Sequence, residues 1–165
     1  MFVLGIDPGL SVTGYGVVAD EGGRLRAVAA GAIRTAPDRP VAARLLELSE
    51  DLEALIAEYR PAEVAIEQVF VNRNLQTATQ VGRAAGVALL AAARAGLAVH
   101  EYTPSAVKMA VVGVGDAPKA QVQAMIARRL GLEAAPRPPD AADALAVALC
   151  HLQSAGARLV ERSGS

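Results

Sequence analysis

The sequence predicts an α/β protein, one mixed five-stranded sheet with helices on both faces. Three observations carry this. Three short apolar segments separated by turn residues open the chain. A long segment with helical spacing follows. After it, short apolar runs alternate with helical stretches, as crossover connections require.

"FVLGID" (2–7) reads as a buried strand ending at Asp7, and "PGLS" as a turn. "TGYGVVAD" (13–20) is a second strand, "EGG" a hairpin signal and "RLRAVAAGAIR" (24–34) a third strand. In residues 38–60, Val41, Leu45, Leu48, Leu52, Leu55, Ile56 and Tyr59 recur at helical spacing. Asp38 is available to cap that helix, and Pro61 follows its stop. "EVAIE" (63–67) is a short apolar strand ending at Glu67. Residues 75–95 predict an alanine-rich helix with Gly96 just past its end.

"LAVHEY" (97–102) is the fifth strand. Thr103-Pro104 opens a short helix, with Thr at the cap and Pro at the first position. Asp116 and Pro118 open another, closed by Gly131. Pro138 and Pro139 precede a last helix, which Gly156 ends. Residues 1–157 are expected to form a single domain and residues 158–165 a flexible tail.

Composition narrows the function classes. The chain has 165 residues, 53% hydrophobic and 20% charged, which excludes a disordered protein. No apolar run is long enough to span a bilayer, and the start lacks the basic region of a signal peptide. Cys150 is the single cysteine, which suits a reducing cytoplasm and forbids a cysteine metal cage. Net charge is −1. Residues 1–60 carry 6 basic and 9 acidic side chains, whereas residues 61–139 carry 8 and 5, so the middle is mildly basic.

Four carboxylates stand out. Asp7 and Glu67 close strands that can pair in parallel, side by side, where α/β sheets place their ligands. Asp140 and Asp143 are three apart at the start of the last helix, on one face. Each has a plain alternative: Asp7 suits the turn before Pro8-Gly9, Asp140 an N-cap and Asp143 a first-turn acid. Glu101, near another strand end, remains an alternative site acid. Crowded carboxylates need neutralising, and an all-oxygen set selects hard divalent cations, Mg²⁺ or Mn²⁺. Two such ions about 3.5–4 Å apart could clamp the attacking and leaving oxygens of a phosphodiester.

"GIDPGLSVTGYGVV" (5–18), "AIEQVFVNRN" (65–74), "VKMAVVGVGDAPKAQV" (107–122) and "DAADALAVA" (140–148) together resemble the motifs of RuvC-type Holliday-junction resolvases. The resemblance covers nearly the whole chain, in order. It implies an RNase H-like nuclease domain over residues 1–157 and a homodimer that nicks two like-polarity strands of a four-way DNA junction. It also implies two Mg²⁺ ions per active site, with Mn²⁺ as a substitute, and a branch-migration complex as partner. No membrane or nucleotide partner is expected.

The resemblance assigns metal binding and catalysis to Asp7, Glu67, Asp140 and Asp143. It marks Lys108 and Lys119 as DNA contacts; they are the only lysines beside 14 arginines. It makes Phe70 a wedge that stacks on a base, with Arg73 and Arg83 on the DNA side of the same segment. Cys150, His151 and His100 read as structural, since nothing pairs the cysteine with a base. Competing classes are a nucleotide-binding module of the actin-like kind, an RNA–DNA hybrid nuclease, and a non-catalytic junction scaffold. The first needs a second phosphate hairpin, which the sequence lacks.

Overall fold

The computed structural model describes residues 1–68 and 74–164, apart from the side chains of residues 159 and 161. The strands are β1 (Phe2–Asp7), β2 (Val12–Glu21), β3 (Arg24–Arg34), β4 (Glu63–Glu67) and β5 (Ala98–Tyr102). The helices are α1 (Val41–Tyr59), α2 (Leu75–Arg94), α3 (Pro104–Val112), α4 (Lys119–Leu130) and α5 (Pro139–Ser163). The five strands form one sheet in the order β3-β2-β1-β4-β5. β1, β2 and β3 pair antiparallel, whereas β1–β4 and β4–β5 pair parallel. The expected mixed five-stranded sheet is therefore the one observed.

Strand alternation sorts the side chains into two cores. Leu4, Ile6, Val64 and Ile66 face α1 and α2 with Leu48, Leu52, Ala84 and Ala88. Val3 and Ala65 face the other way, into a cluster with Val107, Ile126, Leu145 and Leu149 from α3, α4 and α5. Asp7 is four residues beyond Val3, and Glu67 two beyond Ala65. The same alternation thus turns both carboxylates toward α5.

The small residues of α5 let it lie close on the sheet. A Cβ added at Gly5 would stand 2.0 Å from the Ala144 carbonyl oxygen. One added at Gly14 would stand 2.0 Å from the carbonyl oxygen of Asp140. Only hydrogen fits at either place.

Several helix ends differ from the sequence reading. α1 starts at Val41 with Pro40 at its cap and no side-chain cap bond, so Asp38 does not serve. α4 likewise has Pro118 at its cap, and it is closed by Gly131 as expected. In both, proline's fixed φ sets the entry without a capping side chain. The Thr103 cap of α3 is as expected, its hydroxyl accepting from the Ala106 N–H at 3.0 Å.

α5 does not stop at Gly156 but runs to Ser163, so residues 158–163 are helical. A glycine in a helix costs only about 1 kcal/mol against alanine, and the residues after it favour helix. At its other end α5 begins at Pro139, one residue before Asp140. Asp140 is therefore a first-turn residue and not the cap, and Asp143 lies in the second turn.

Candidate active site

Asp7 and Glu67 are neighbours because β1 and β4 run parallel in register. Ile6 pairs with Ile66, the residue before each acid. Asp7 also sits opposite Gly14 on β2. Gly14 is the residue that the Asp140 backbone closely approaches, so the start of α5 lies over Asp7. Glu101 is excluded from this group. It pairs with Ile66, whose side chain faces the α1–α2 side, and it is exposed.

Asp7 and Glu67 both feel the other acids. The Asp7 carboxyl is pushed up to about 9. Burial is the largest cause; the charge of Glu67, a hydrogen bond to Glu67, and the charges of Asp143 and Asp140 add to it. Glu67 is also raised by burial and by Asp143, against the lowering effects of its bond to Asp7 and of Lys119 and Lys108. A raised Asp7 carboxyl hydrogen-bonded to Glu67 is the behaviour of two close, buried carboxyl groups.

Both lysines lie within the field of Glu67. Lys119, at the first position of α4, holds its Nζ 3.1 Å from Asp143 Oδ2. Arg83 is exposed on α2, which covers the opposite face of the sheet, and is not brought to the acids. Phe70 and Arg73 lie outside the described residues.

The turn after Asp7 is held by groups that the sequence reading missed. The Thr13 hydroxyl donates to the Gly9 carbonyl at 2.6 Å and accepts from the Gly9 N–H at 3.2 Å. Thr35 donates to the Leu10 carbonyl at 2.6 Å. The buried Arg44 then joins Thr35 Oγ1 at 2.9 Å and Ser11 Oγ at 3.1 Å. One signal pointed to it. Arg44 stands four residues before Leu48 and eight before Leu52, so it is a cation on the apolar stripe of α1.

The donor set fits a divalent cation. Four carboxylates with no imidazole among them suit a hard ion. Burial and the neighbouring acids push the Asp7 carboxyl up, and a dication bound there would relieve that crowding.

Comparison with known proteins shows the family. The model of the family described as "Crossover junction endodeoxyribonuclease RuvC" matches residues 3–151. The protein of that name from Heliobacterium modesticaldum is 58% identical over 150 residues, 91% of this chain and 93% of the relative. That of Desulfitobacterium hafniense is 49% identical over 164 residues, 99% of this chain and 98% of the relative. Among solved structures, Thermus thermophilus RuvC in complex with a Holliday junction substrate superposes with a TM-score of 0.89. It is 40% identical, covering 94% of each chain. The yeast mitochondrial Holliday junction resolvase Ydc2, 13% identical over 92% of this chain and 78% of its own, shares the fold with a TM-score of 0.63. An RNase H-like sheet with its acids at the strand ends, a motif set in order and close relatives over nearly the full length all agree: this chain belongs to the RuvC family of crossover junction endodeoxyribonucleases.

Proposed function

We propose that this chain resolves four-way DNA junctions by paired, metal-dependent nicking of two strands of like polarity, with Asp7, Glu67, Asp140 and Asp143 as its catalytic acids. The observation that carries the site is the placement of Asp7 and Glu67 side by side at the ends of parallel β1 and β4, with the Asp140 backbone seated on Gly14 opposite Asp7. Two Mg²⁺ ions, or Mn²⁺ in their place, would supply Lewis-acid activation of the scissile phosphodiester when bound to these four residues.

The remaining work falls to the chain itself. Asp7 and Glu67 set the floor of the site on two rigid strands, and Asp140 and Asp143 its wall on one helix. The Lys119 ammonium, paired with Asp143 at the surface, can meet a phosphate oxygen when that carboxylate is otherwise neutralised. Lys108 stands by as a second cation near Glu67. Phe70, three residues after Glu67, is assigned to stack on a base at the crossover, a contact worth roughly 1–3 kcal/mol. Arg73 is assigned to the DNA side of that segment.

Paired cuts require two sites, so the working unit is taken as a homodimer. The exposed Leu75, Leu89 and Leu90 on α2 support an apolar contact there. A branch-migration complex is the assigned further partner. Among the described residues no helix is long and apolar enough to cross a membrane. The assigned location is the cytoplasm.

The test offers the protein a synthetic four-way junction, a plain duplex and an RNA–DNA hybrid, each with Mg²⁺ or Mn²⁺. Symmetric nicks in the junction alone, lost in Asp7→Asn, support the reading. Equal cutting of the hybrid, or nicks that survive Asp7→Asn, would sink it. Phe70→Ala should slow junction cutting without loss of fold; unchanged cutting would remove Phe70 from the interface.

A further inference from the structure

We propose that Glu63, His100 and His151 form a second, separate metal site, for one Zn²⁺-like transition-metal dication, at the end of the sheet away from the catalytic acids. The placement follows from two periodicities. Glu63 and Glu67 are four residues apart on β4 and share a face, about 13 Å from end to end. His151 is eleven residues after Asp140 on α5, three turns and about 16 Å along the same side. One strand and one helix therefore carry an acidic cluster at one end and a histidine cluster at the other.

The three donor atoms lie within 4.8 Å of one another. His151 Nε2 is hydrogen-bonded to Glu63 Oε2. His100 Nε2 is 3.5 Å from the same oxygen. The two imidazoles stack at 4.4 Å. His100 reaches the group because it pairs with Ala65 on the α5 face of the sheet.

Two observations point to a ligand rather than to a finished hydrogen-bond cluster. His100 Nε2 is a buried polar atom with no hydrogen-bond partner among the described residues. Such atoms are rare and call for an explanation. His151 is fully buried, with its Nε2 fixed on Glu63 at the centre of the three donor atoms.

Tyr102 completes the arrangement, its hydroxyl 2.7 Å from His151 Nδ1. Without an ion, Nε2–H donates to Glu63 and the Tyr102 hydroxyl donates to Nδ1. With an ion on Nε2, the imidazole carries its one proton on Nδ1 and donates it to the Tyr102 oxygen. This is the outer hydrogen bond that metal-bound histidines make.

Two imidazoles and one carboxylate select Zn²⁺ and its neighbours over Mg²⁺. A fourth position opens on a cleft of about 410 Å³ lined also by Met1, Ala155, Arg158 and Arg162. The two arginines favour an anionic fourth ligand. The ion would tie β4, β5 and α5 together at the far end of the sheet.

The test strips the full chain with a chelator and titrates it with Zn²⁺ by calorimetry in buffer containing excess Mg²⁺. One equivalent should bind and raise the melting temperature. Binding should persist in the Asp7→Asn, Asp143→Asn double variant. His100→Ala and Glu63→Gln should weaken it tenfold or more, and Tyr102→Phe by about tenfold. Circular dichroism checks each fold, and His100→Gln replaces any His100→Ala protein that fails to fold. Unchanged Zn²⁺ affinity in the folded His100 variant, no bound equivalent, or loss only in the Asp7/Asp143 variant would overturn the proposal.

Discussion

Lys119 places its ammonium 3.1 Å from the carboxylate of Asp143, with 61% of the lysine side chain exposed. An exposed pair of this kind contributes about 0–1 kcal/mol to stability. Lys119→Ala should therefore leave the melting temperature within a few degrees of the parent. It should nevertheless slow single-turnover junction cleavage by roughly 10²-fold, as loss of a transition-state cation does. A large stability loss with unchanged cleavage would mean that the pair is structural.

The raised pKa of Asp7 makes stability depend on pH in a definite direction. Its folded pKa, about 9, stands above the ordinary 3.8. Below about pH 4 both folded and unfolded chains hold this proton. Between about 4 and 9 the unfolded chain releases it while the folded chain keeps it, so stability falls as pH rises. In chelator, the melting temperature should decline across that window, and Asp7→Asn should flatten the decline. Mg²⁺ should raise the melting temperature more at pH 8 than at pH 5. A decline of equal slope in Asp7→Asn would disprove the assignment.

Two glycines should respond in opposite ways to the same substitution. Gly14→Ala drives a methyl group against the Asp140 backbone, which side-chain rotation cannot relieve. It should cost about 1–3 kcal/mol and most of the cleavage activity. Gly156 lies within α5 with nothing within 4 Å of its would-be Cβ. Gly156→Ala should raise stability by about 0.5–1 kcal/mol and leave cleavage unchanged. Chemical denaturation of both variants beside a cleavage assay reads the contrast.

Arg44→Met keeps the apolar stem in its buried slot but removes the bonds to Thr35 and Ser11. The turn after Asp7 should loosen, with a loss of about 1–3 kcal/mol. Cleavage should fall through kcat rather than KM, since Arg44 is buried beneath the loop and does not reach the surface. A change in KM alone would place its effect on DNA binding.

The sheet was legible because its strands obey a period of two and its long helices a period of 3.6. That regularity set Asp7 and Glu67 at adjacent strand ends. The Asp38 cap was misread because Asp38 satisfies a local preference that Pro40 overrides. The run of α5 past Gly156 was missed for a similar reason, since one glycine is too weak a breaker to stop a helix. Arg44, and the group of Glu63, His100 and His151, needed register. Their members are far apart in sequence, and only the pairing of β4 with β5 and the path of α5 bring them into contact.

The close seating of α5 on Gly5 and Gly14 has a further consequence. No flexible side chain lies between helix and sheet at those points to absorb a displacement. The gap between the acids on the strands and those on the helix is therefore set by backbone meeting backbone. Loosening of that seam by heat, denaturant or mutation should spread the four carboxylates before any helix melts. Nicking rate is thus a gauge of packing at the centre of the protein, and should fade earlier on heating than circular dichroism reports.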